Sequence, residues 1–555
     1  MTSDAPSAAH ESELADPLLL QWLAALGLGV EYVRGEGNTL FLTADDGTET
    51  AVIDYAGGYG SLVLGHNHPG IVAAARSFLD AGTPTLAQGS RQPAASRVAA
   101  VLDGIVRREF GTDEPYFSVF SNSGAESVEV ALKHAEFDRG LRIRAIHEEI
   151  AGHLDAAAAA VRAGEAKPPD AVFEALGIGA AAEPAPDTPH TPDDAGAPDN
   201  AADNDTSDTG GEWWVRAVLR ENARRAARPP LLLTLEGSFH GKLIGSVQLT
   251  HNAAYRTPFE AMAPPARFIP FDRPEALAGV FERERGVLLD VVVENGEVGV
   301  RERGFPVFAA FVCEVILGEG GIRRVTPGAA AEIQRACAAA DCPIVVDEIQ
   351  SGMGRTGAFF ASSHIGLRAD YYTLAKGLGG GLAKTAVTLI RGGRYRPEFE
   401  LVHTSTFAKD TFSSTIALRT LELLEADDGR AYRLAREGGE RLTEVFDALR
   451  AAFPEVVKDV RGTGLMLGLE LHDQSGSVME AVRDAARSGT FGYLVAGYLL
   501  RVHRIRTFPT ASAVNTLRFE PSVLLTEEEV RRLDIALREL CEVLREGDER
   551  AFIGG

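Results

Sequence analysis

Apolar and polar positions follow two different periods along this chain, and the switches between them mark its elements. Residues Pro17–Gly29 set Leu18, Leu19, Trp22, Leu23 and Leu26 at helical spacing, which predicts a short amphipathic helix with one apolar stripe. The next stretch, NTLFLTADDGTETAVIDYAGG, carries two alternating runs around Asp45-Asp46-Gly47 and predicts a hairpin. From Ile71 onward, short and nearly continuous apolar runs alternate with helical segments. Five of these runs read as strands: Tyr116–Ser121, Pro230–Glu236, Phe308–Ile316, Cys342–Ile349 and Tyr371–Lys376. Continuous hydrophobicity belongs to strands buried on both faces, so the expected fold class is α/β with a mostly parallel central sheet. Ligands of such sheets bind at the carboxyl ends of the strands. The runs lead to Ser121, Glu236, Glu314, Asp347 and Lys376, which could place one site along a single rim.

One region departs from the pattern. Residues 138–229 begin as Ala/Glu-rich helix, pass through a Pro/Asp-rich tract at 180–211 and recover a helix at Trp213. The middle tract has too few large apolar residues to offset its ordering entropy, so a poorly ordered insertion is expected there. Trp213 and Trp214 are expected to anchor the returning helix rather than to bind a ligand. After Ser413 the chain reads as two helices, Thr415–Glu425 and Arg430–Phe453, then a mixed α+β segment. The expected division is an N-terminal segment 1–84, a large domain 85–414 and a C-terminal segment 415–555 that joins the first in a smaller α+β domain.

Composition narrows the function classes. A chain of 555 residues exceeds what one core usually needs. Its net charge of −24 argues against nucleic acid or an anionic membrane surface as partner. The four cysteines (Cys313, Cys337, Cys342, Cys541) have neither the pairing of a disulfide framework nor the spacing of a metal site, and are expected to be buried free thiols. Met1–Ala15 lacks the basic start of a signal peptide, and the apolar stretch Leu18–Val30 is too short to span a bilayer, so a cytoplasmic protein is expected.

Three segments carry candidate chemistry. AKGLGGG at Ala375–Gly381 puts a lysine before glycines at the end of a strand; a phosphate loop, a Schiff-base lysine and a plain surface loop all remain open. In IVVDEIQSGMGRTG, Asp347 ends a buried strand and needs a cationic partner, either a cofactor pyridinium or a residue such as Arg355. In FSNSGAESVEVALKHA, a strand ends at Ser121 and a helix opens after Ser123-Gly124-Ala125. That is a ready anion site, and equally a capping box with Glu126.

Together these segments resemble the class III (ω-type) aminotransferases, pyridoxal-phosphate enzymes of fold type I. The resemblance runs in order through LGHNHPGIVAAA, SNSGAESVEVALK, EGSFHGK, CEVILGEGGI, VDEIQSGMGRTG, TLAKGLGGG, HTSTFAKDTFSS, VRGTGLMLGLEL and LRFEPSVLLTEEEV, sparing only the N-terminal tail and the insertion. It implies that Lys376 forms the Schiff base with the cofactor and moves the substrate proton, while Asp347 holds the pyridinium. It implies that Phe239 and Ile349 enclose the ring, Gln350 bonds its phenolic oxygen, and Ser123, Gly124 and Ala125 cradle the phosphate. Thr406 would contact the phosphate of the neighbouring subunit, which implies a homodimer. Arg518 would grip an α-carboxylate, Glu319 would pair with Arg518 when a substrate presents a distal amine instead, and Tyr59 would touch substrate. No metal is implied.

The sequence also departs from the family. Val315 and Leu317 stand where the family writes proline and glutamine, Ala408, Lys409 and Asp410 replace small residues, and Ala383 stands near a missing proline. The resemblance implies an aminotransferase acting on an α-amino acid or diamino acid. An alternative on the same scaffold is β/γ-elimination or carbon–carbon bond formation in specialised metabolism, for example on an adenosylmethionine-like substrate.

Overall fold

The computed structural model describes residues 15–43, 47–167, 169–177 and 213–553. At its centre seven strands lie in the order Tyr116–Ser121, Ala386–Arg391, Tyr371–Leu374, Ile344–Asp347, Phe308–Glu314, Leu231–Leu235 and Arg267–Ile269. All five expected runs are in this sheet. Ile344–Asp347 pairs in parallel with both neighbours, setting Asp347 opposite Glu314 on one side and Thr373 on the other. Ala386–Arg391 is antiparallel to both of its neighbours, with Ala386 opposite Ser121. Two reversals restore direction, so Ser121, Leu374, Asp347, Glu314 and Leu235 all end on one rim. Ala386–Arg391 follows the glycine loop too closely for a helical crossover, and an antiparallel return is the connection so short a loop allows.

The two ends of the chain meet in smaller sheets. Tyr32–Glu36, Thr39–Thr43 and Glu49–Asp54 form an antiparallel set, and Ile505–Arg506 adds to Glu49–Asp54 in parallel. Asp54 fastens this junction: its buried carboxylate accepts from Arg506 Nη1 at 2.8 Å and faces His66 Nε2 at 2.8 Å. Val457–Thr463, Met466–Leu471, Thr516–Phe519 and Phe508–Pro509 make a second sheet. The predicted helix is present as Pro17–Ala25, but its stripe is only partly covered. Leu18 stays 80% exposed, while Leu23 packs towards Val52 and Leu500, and Trp22 meets the ring of Tyr493 edge-on. The helices expected after Ser413 are Thr411–Ala452, broken by non-helical backbone at residues 426–429.

The insertion builds a lobe. Residues 138–162 continue the helix that opens at Gly124, which runs 39 residues to Arg162. Asp170–Leu176 and Trp213–Ala226 pack beside it, and the Pro/Asp-rich tract expected to be poorly ordered lies outside the described residues. A long hairpin, Gly286–Glu294 with Glu297–Phe305, completes the lobe. Its turn is Asn295-Gly296, both at positive φ, a pair that suits the twist of a two-residue hairpin turn. Trp214 is buried with Val218, Val172, Leu289 and Val291, and Trp213 stacks on Phe173 with ring centroids 5.1 Å apart, so both tryptophans anchor the helix.

Candidate functional site

The rim of the central sheet opens into a cavity of about 540 Å³ whose lining includes Ser123, Gly124, Ala125, Phe239, Asp347, Ile349, Gln350 and Lys376. These residues come from four separate strand ends, and the parallel topology alone makes them neighbours. Thr406 is not among them. It lines a different cleft with Thr85–Gln92, where its carbonyl accepts from Gln88 Nε2 at 3.0 Å. Its chain neighbour Ser405 approaches the rim and accepts from Asn122 Nδ2 at 2.9 Å.

Lys376 follows the Tyr371–Leu374 strand in a left-handed conformation, φ 39°, ahead of a short 3-10 turn. Side chains avoid that region unless their surroundings impose it, and such residues cluster where a reactive group must be aimed. The Lys376 amine donates to Gln350 Oε1 at 2.9 Å. Burial pushes the amine below its ordinary range, and the carboxylates of Glu520 and Glu319 pull it part of the way back. A lysine made less basic is available as a nucleophile and as a proton acceptor.

Asp347 is 5% exposed, and its Oδ2 lies 2.8 Å from His240 Nδ1 while its Oδ1 accepts from the Ile349 N–H. An ionised carboxylate only accepts, so Nδ1 carries the proton. His240 Nε2 in turn lies 3.2 Å from Thr234 Oγ1, and Ser238 Oγ donates to the Leu249 carbonyl beyond it. Arg355 is not the partner of Asp347: its guanidinium donates to the carbonyls of Leu465, Pro521 and Gly60.

Ser123 is the N-cap of the long helix and accepts from the Glu126 N–H at 3.3 Å. The Glu126 carboxylate reaches back to the Asn122 N–H at 2.6 Å, one residue beyond the box expected from sequence. Gly124 is required by packing, since a Cβ there would stand 2.9 Å from Ile349 Cδ1. The helix dipole and its first N–H groups, with Lys384 lining the same cavity, make the cavity suited to a phosphate. A buried acid, an anion cradle and an amine lining one cavity fit pyridoxal phosphate in their donor set.

Beside the cavity, Arg518 is 1% exposed and forms a fork with Glu319, Nη1 to Oε1 at 2.8 Å and Nη2 to Oε2 at 2.5 Å. Burial opposes both charges, yet Arg518 holds the Glu319 carboxyl below the usual range and Glu319 raises the arginine in return. Arg518 Cζ lies 5.0 Å from the centroid of the Tyr59 ring, and Tyr255 and Tyr493 also feel the charge of Glu319. The structure therefore brings Tyr59, Glu319 and Arg518 together, within electrostatic reach of Lys376.

His240 and Glu520 are absent from the residues singled out by sequence. His240 directly follows Phe239 in EGSFHGK, and that adjacency was the available signal; Glu520, two residues after Arg518, offers none without its contacts. Glu314, named above only as a strand ending, accepts from the Phe239 N–H at 2.8 Å and the Gly318 N–H at 2.9 Å. Burial raises it to about 7. The folded chain then keeps a proton that the unfolded chain has already lost, so stability falls as pH rises through that value. Between about pH 6 and about pH 8 wild type should lose about 1 kcal/mol through this group. Glu314→Gln is expected to flatten that slope in urea titrations; an unchanged slope would count against the assignment.

Comparison with known proteins speaks to family and fold. The family model for class III aminotransferases matches residues 26–511. Among solved structures, the ornithine aminotransferase of Toxoplasma gondii is 21% identical, with 93% of this chain and 91% of that chain covered at a TM-score of 0.61. A second structure of that enzyme shows partial occupancy of pyridoxal phosphate at the active site. The ornithine δ-aminotransferase of Plasmodium falciparum is 17% identical, covering 96% of each chain at a TM-score of 0.59. A thermostable omega transaminase engineered for asymmetric synthesis of enantiopure bulky amines is 18% identical, with 97% and 98% covered and a TM-score of 0.65. At these identities the likeness speaks to the fold, fold type I, while the match over most of the chain speaks to the family. No helix among the described residues is long and apolar enough to cross a membrane. The chain belongs to the class III aminotransferases and is a pyridoxal-phosphate-dependent transferase.

Proposed function

We propose that this aminotransferase acts on an α-amino acid or diamino acid held between Lys376 and Arg518. The observation that carries the reading is the buried Arg518–Glu319 fork beside the cavity. A guanidinium paired by its own carboxylate is neutral towards a substrate that presents an amine at this end. The same guanidinium, once Glu319 gives way, offers a substrate carboxylate the two-pronged contact it has just lost. A transaminase must accept two unlike substrates in turn at one site, and this pair supplies two faces. The ornithine aminotransferases among the structural neighbours support a diamino acid as one of the two.

In this reading Lys376 carries the cofactor and, once displaced, takes and returns the substrate proton. The bound cofactor supplies an electron sink for the charge that proton removal leaves. Asp347, fixed by His240, holds the ring nitrogen protonated. Phe239 and Ile349 would enclose the ring, the second Nε2 hydrogen of Gln350 would serve its phenolic oxygen, and Ser123, Gly124 and Ala125 would hold the phosphate. Tyr59 lines the substrate side against Arg518.

Thr406 serves the phosphate of a second copy, so two chains complete each other's sites. Its position in a cleft apart from its own chain's Lys376 supports this. Residues 85–414 form the cofactor domain, and 1–84 with 415–555 the substrate-side domain.

Glu319→Gln tests the pair. Losing the charge frees Arg518, so activity with donors that place an amine at this end should fall about tenfold or more, and KM for carboxylate donors should drop. An equal change for both donor types would sink the proposed exchange.

A further inference from the structure

Glu520 is fully buried, and its carboxylate is used by one neighbour only. Oε1 accepts from Gln350 Nε2 at 2.7 Å, and Oε2 has no hydrogen-bond partner among the described residues. Buried carboxylates usually gather several donors, as Glu348 does from Ser351, Ala361 and Ser362. An acid left with one donor costs stability. On its other side the same Gln350 amide accepts, through Oε1, from Lys376 Nζ at 2.9 Å.

The amide is thus held between a group that only accepts and a group that only donates when charged. Both ends require the same orientation, nitrogen towards Glu520 and oxygen towards Lys376. Space around the amide is equally restricted. A Cβ on Gly318 would fall 2.3 Å from Gln350 Oε1, and one on Gly60 would fall 3.2 Å from Gln350 Cγ. A free primary amide in water turns over readily; this one has a carboxylate to prevent it.

We propose that Glu520 is a positioning residue for Lys376, acting through Gln350, whose amide it locks with the carbonyl oxygen on the lysine amine. The lock matters when Lys376 is free, since a four-carbon side chain with its amine unheld samples many rotamers. Held by Gln350 Oε1, the amine stays within the cavity at the place from which it must act. The charges facing Glu520 and Lys376 are Arg355, Arg518, Glu319 and Asp347. Arg355 offsets the Glu520 charge without touching it, its own hydrogen bonds all going to backbone carbonyls.

This inference rests on Lys376 being the reactive amine; retained turnover in Lys376→Ala would defeat that reading whatever Glu520 does. The test uses the full-length chain. Glu520→Gln keeps the shape but can present either end of its amide, so it no longer dictates how Gln350 lies. Two readouts follow. In the holoenzyme, kcat should fall about tenfold, the cost of one charged hydrogen bond lost, while KM changes little. In the chain stripped of cofactor, acetic anhydride labelling of Lys376, followed by peptide mass against pH, should show its midpoint moved to lower pH, because a nearby negative charge has gone.

Glu520→Asp supplies the second variant. It keeps the charge but draws the carboxylate away from Gln350, so the kcat loss should persist while the labelling midpoint stays near wild type. In a Gln350→Ala background, Glu520→Gln should lower kcat no further. Wild-type kcat and an unshifted labelling midpoint in Glu520→Gln would overturn the proposal, as would an undiminished effect of that change without Gln350.

Discussion

Lys376→Ala is expected to abolish transamination and to leave pyridoxal phosphate bound without a covalent link. The two effects have one cause. The lysine lines the same cavity as the anion cradle at Ser123–Ala125 and Asp347, where a primary amine can add to a carbonyl carbon. Its left-handed backbone and its hydrogen bond to Gln350 fix where the amine points. Positioned proton transfer alone contributes about 10²–10⁴ in rate, and loss of the covalent exchange adds to it, so kcat should fall at least about 10⁴-fold. The phosphate cradle and Asp347 remain, so the cofactor should still bind. Borohydride treatment followed by mass measurement of the intact chain should therefore attach cofactor to wild type and not to the variant. Turnover at a tenth of the wild-type rate would refute the assignment outright.

Substitution of Arg518 should have the second largest effect, divided between stability and substrate choice. Arg518→Ala leaves the half-buried Glu319 with its other contact, the Ala511 N–H, but without its paired guanidinium. Removing one member of a buried pair typically costs about 3–5 kcal/mol. Arg518→Lys keeps the charge and much of the length but loses the planar fork that matches a carboxylate. The expected result for Arg518→Lys is kcat/KM lower by about 10²-fold towards α-carboxylate substrates, with far less change towards an amine that lacks a carboxylate. Arg518→Ala combined with Glu319→Ala should recover most of the lost stability and none of the activity towards carboxylates. Equal loss towards both donor types in Arg518→Lys would show that the arginine supports the pocket and does not read the substrate.

The two substitutions differ in how openly the sequence announces them. Lys376 is legible because a lysine followed by glycines after an apolar strand is unusual, and because Asp347 ends another such strand about one crossover earlier. Arg518 carries no such local mark; a strand arginine is usually a surface residue, and only the motif around it suggested otherwise. Its burial and its fork with Glu319 depend on Thr516–Phe519 packing against Met466–Leu471, nearly two hundred residues from the acid it meets.

The long hairpin at residues 286–305 shows the opposite failure. Neither its Asn295-Gly296 turn nor its strands were singled out above: Gly286–Glu294 is a nearly continuous apolar run, but its partner Glu297–Phe305 is charged and mostly not buried, and does not read as its pair. The insertion itself was legible in composition, yet its helices proved to pack with that hairpin into a lobe whose apolar residues continue the main core.

Local chemistry in the sequence was enough to mark the five central strands and the segments that carry candidate chemistry, and the family resemblance supplied the cofactor. Continuous apolar runs require strands covered on both faces, a Ser-Gly-Ala turn before a helix makes an anion site, and a strand-end acid demands a positive partner. These properties belong to a few adjacent residues and survive without knowledge of the rest. Only the tertiary structure decided which partners those residues have. That Asp347 bonds His240 and not Arg355, and that Glu520 reaches Lys376 through Gln350, are pairings across 107 and 170 residues of chain for the contacts His240–Asp347 and Gln350–Glu520. The physical reason is the direction of hydrogen bonds and charges: they act over a few ångströms, and the fold alone determines which distant side chains come that close.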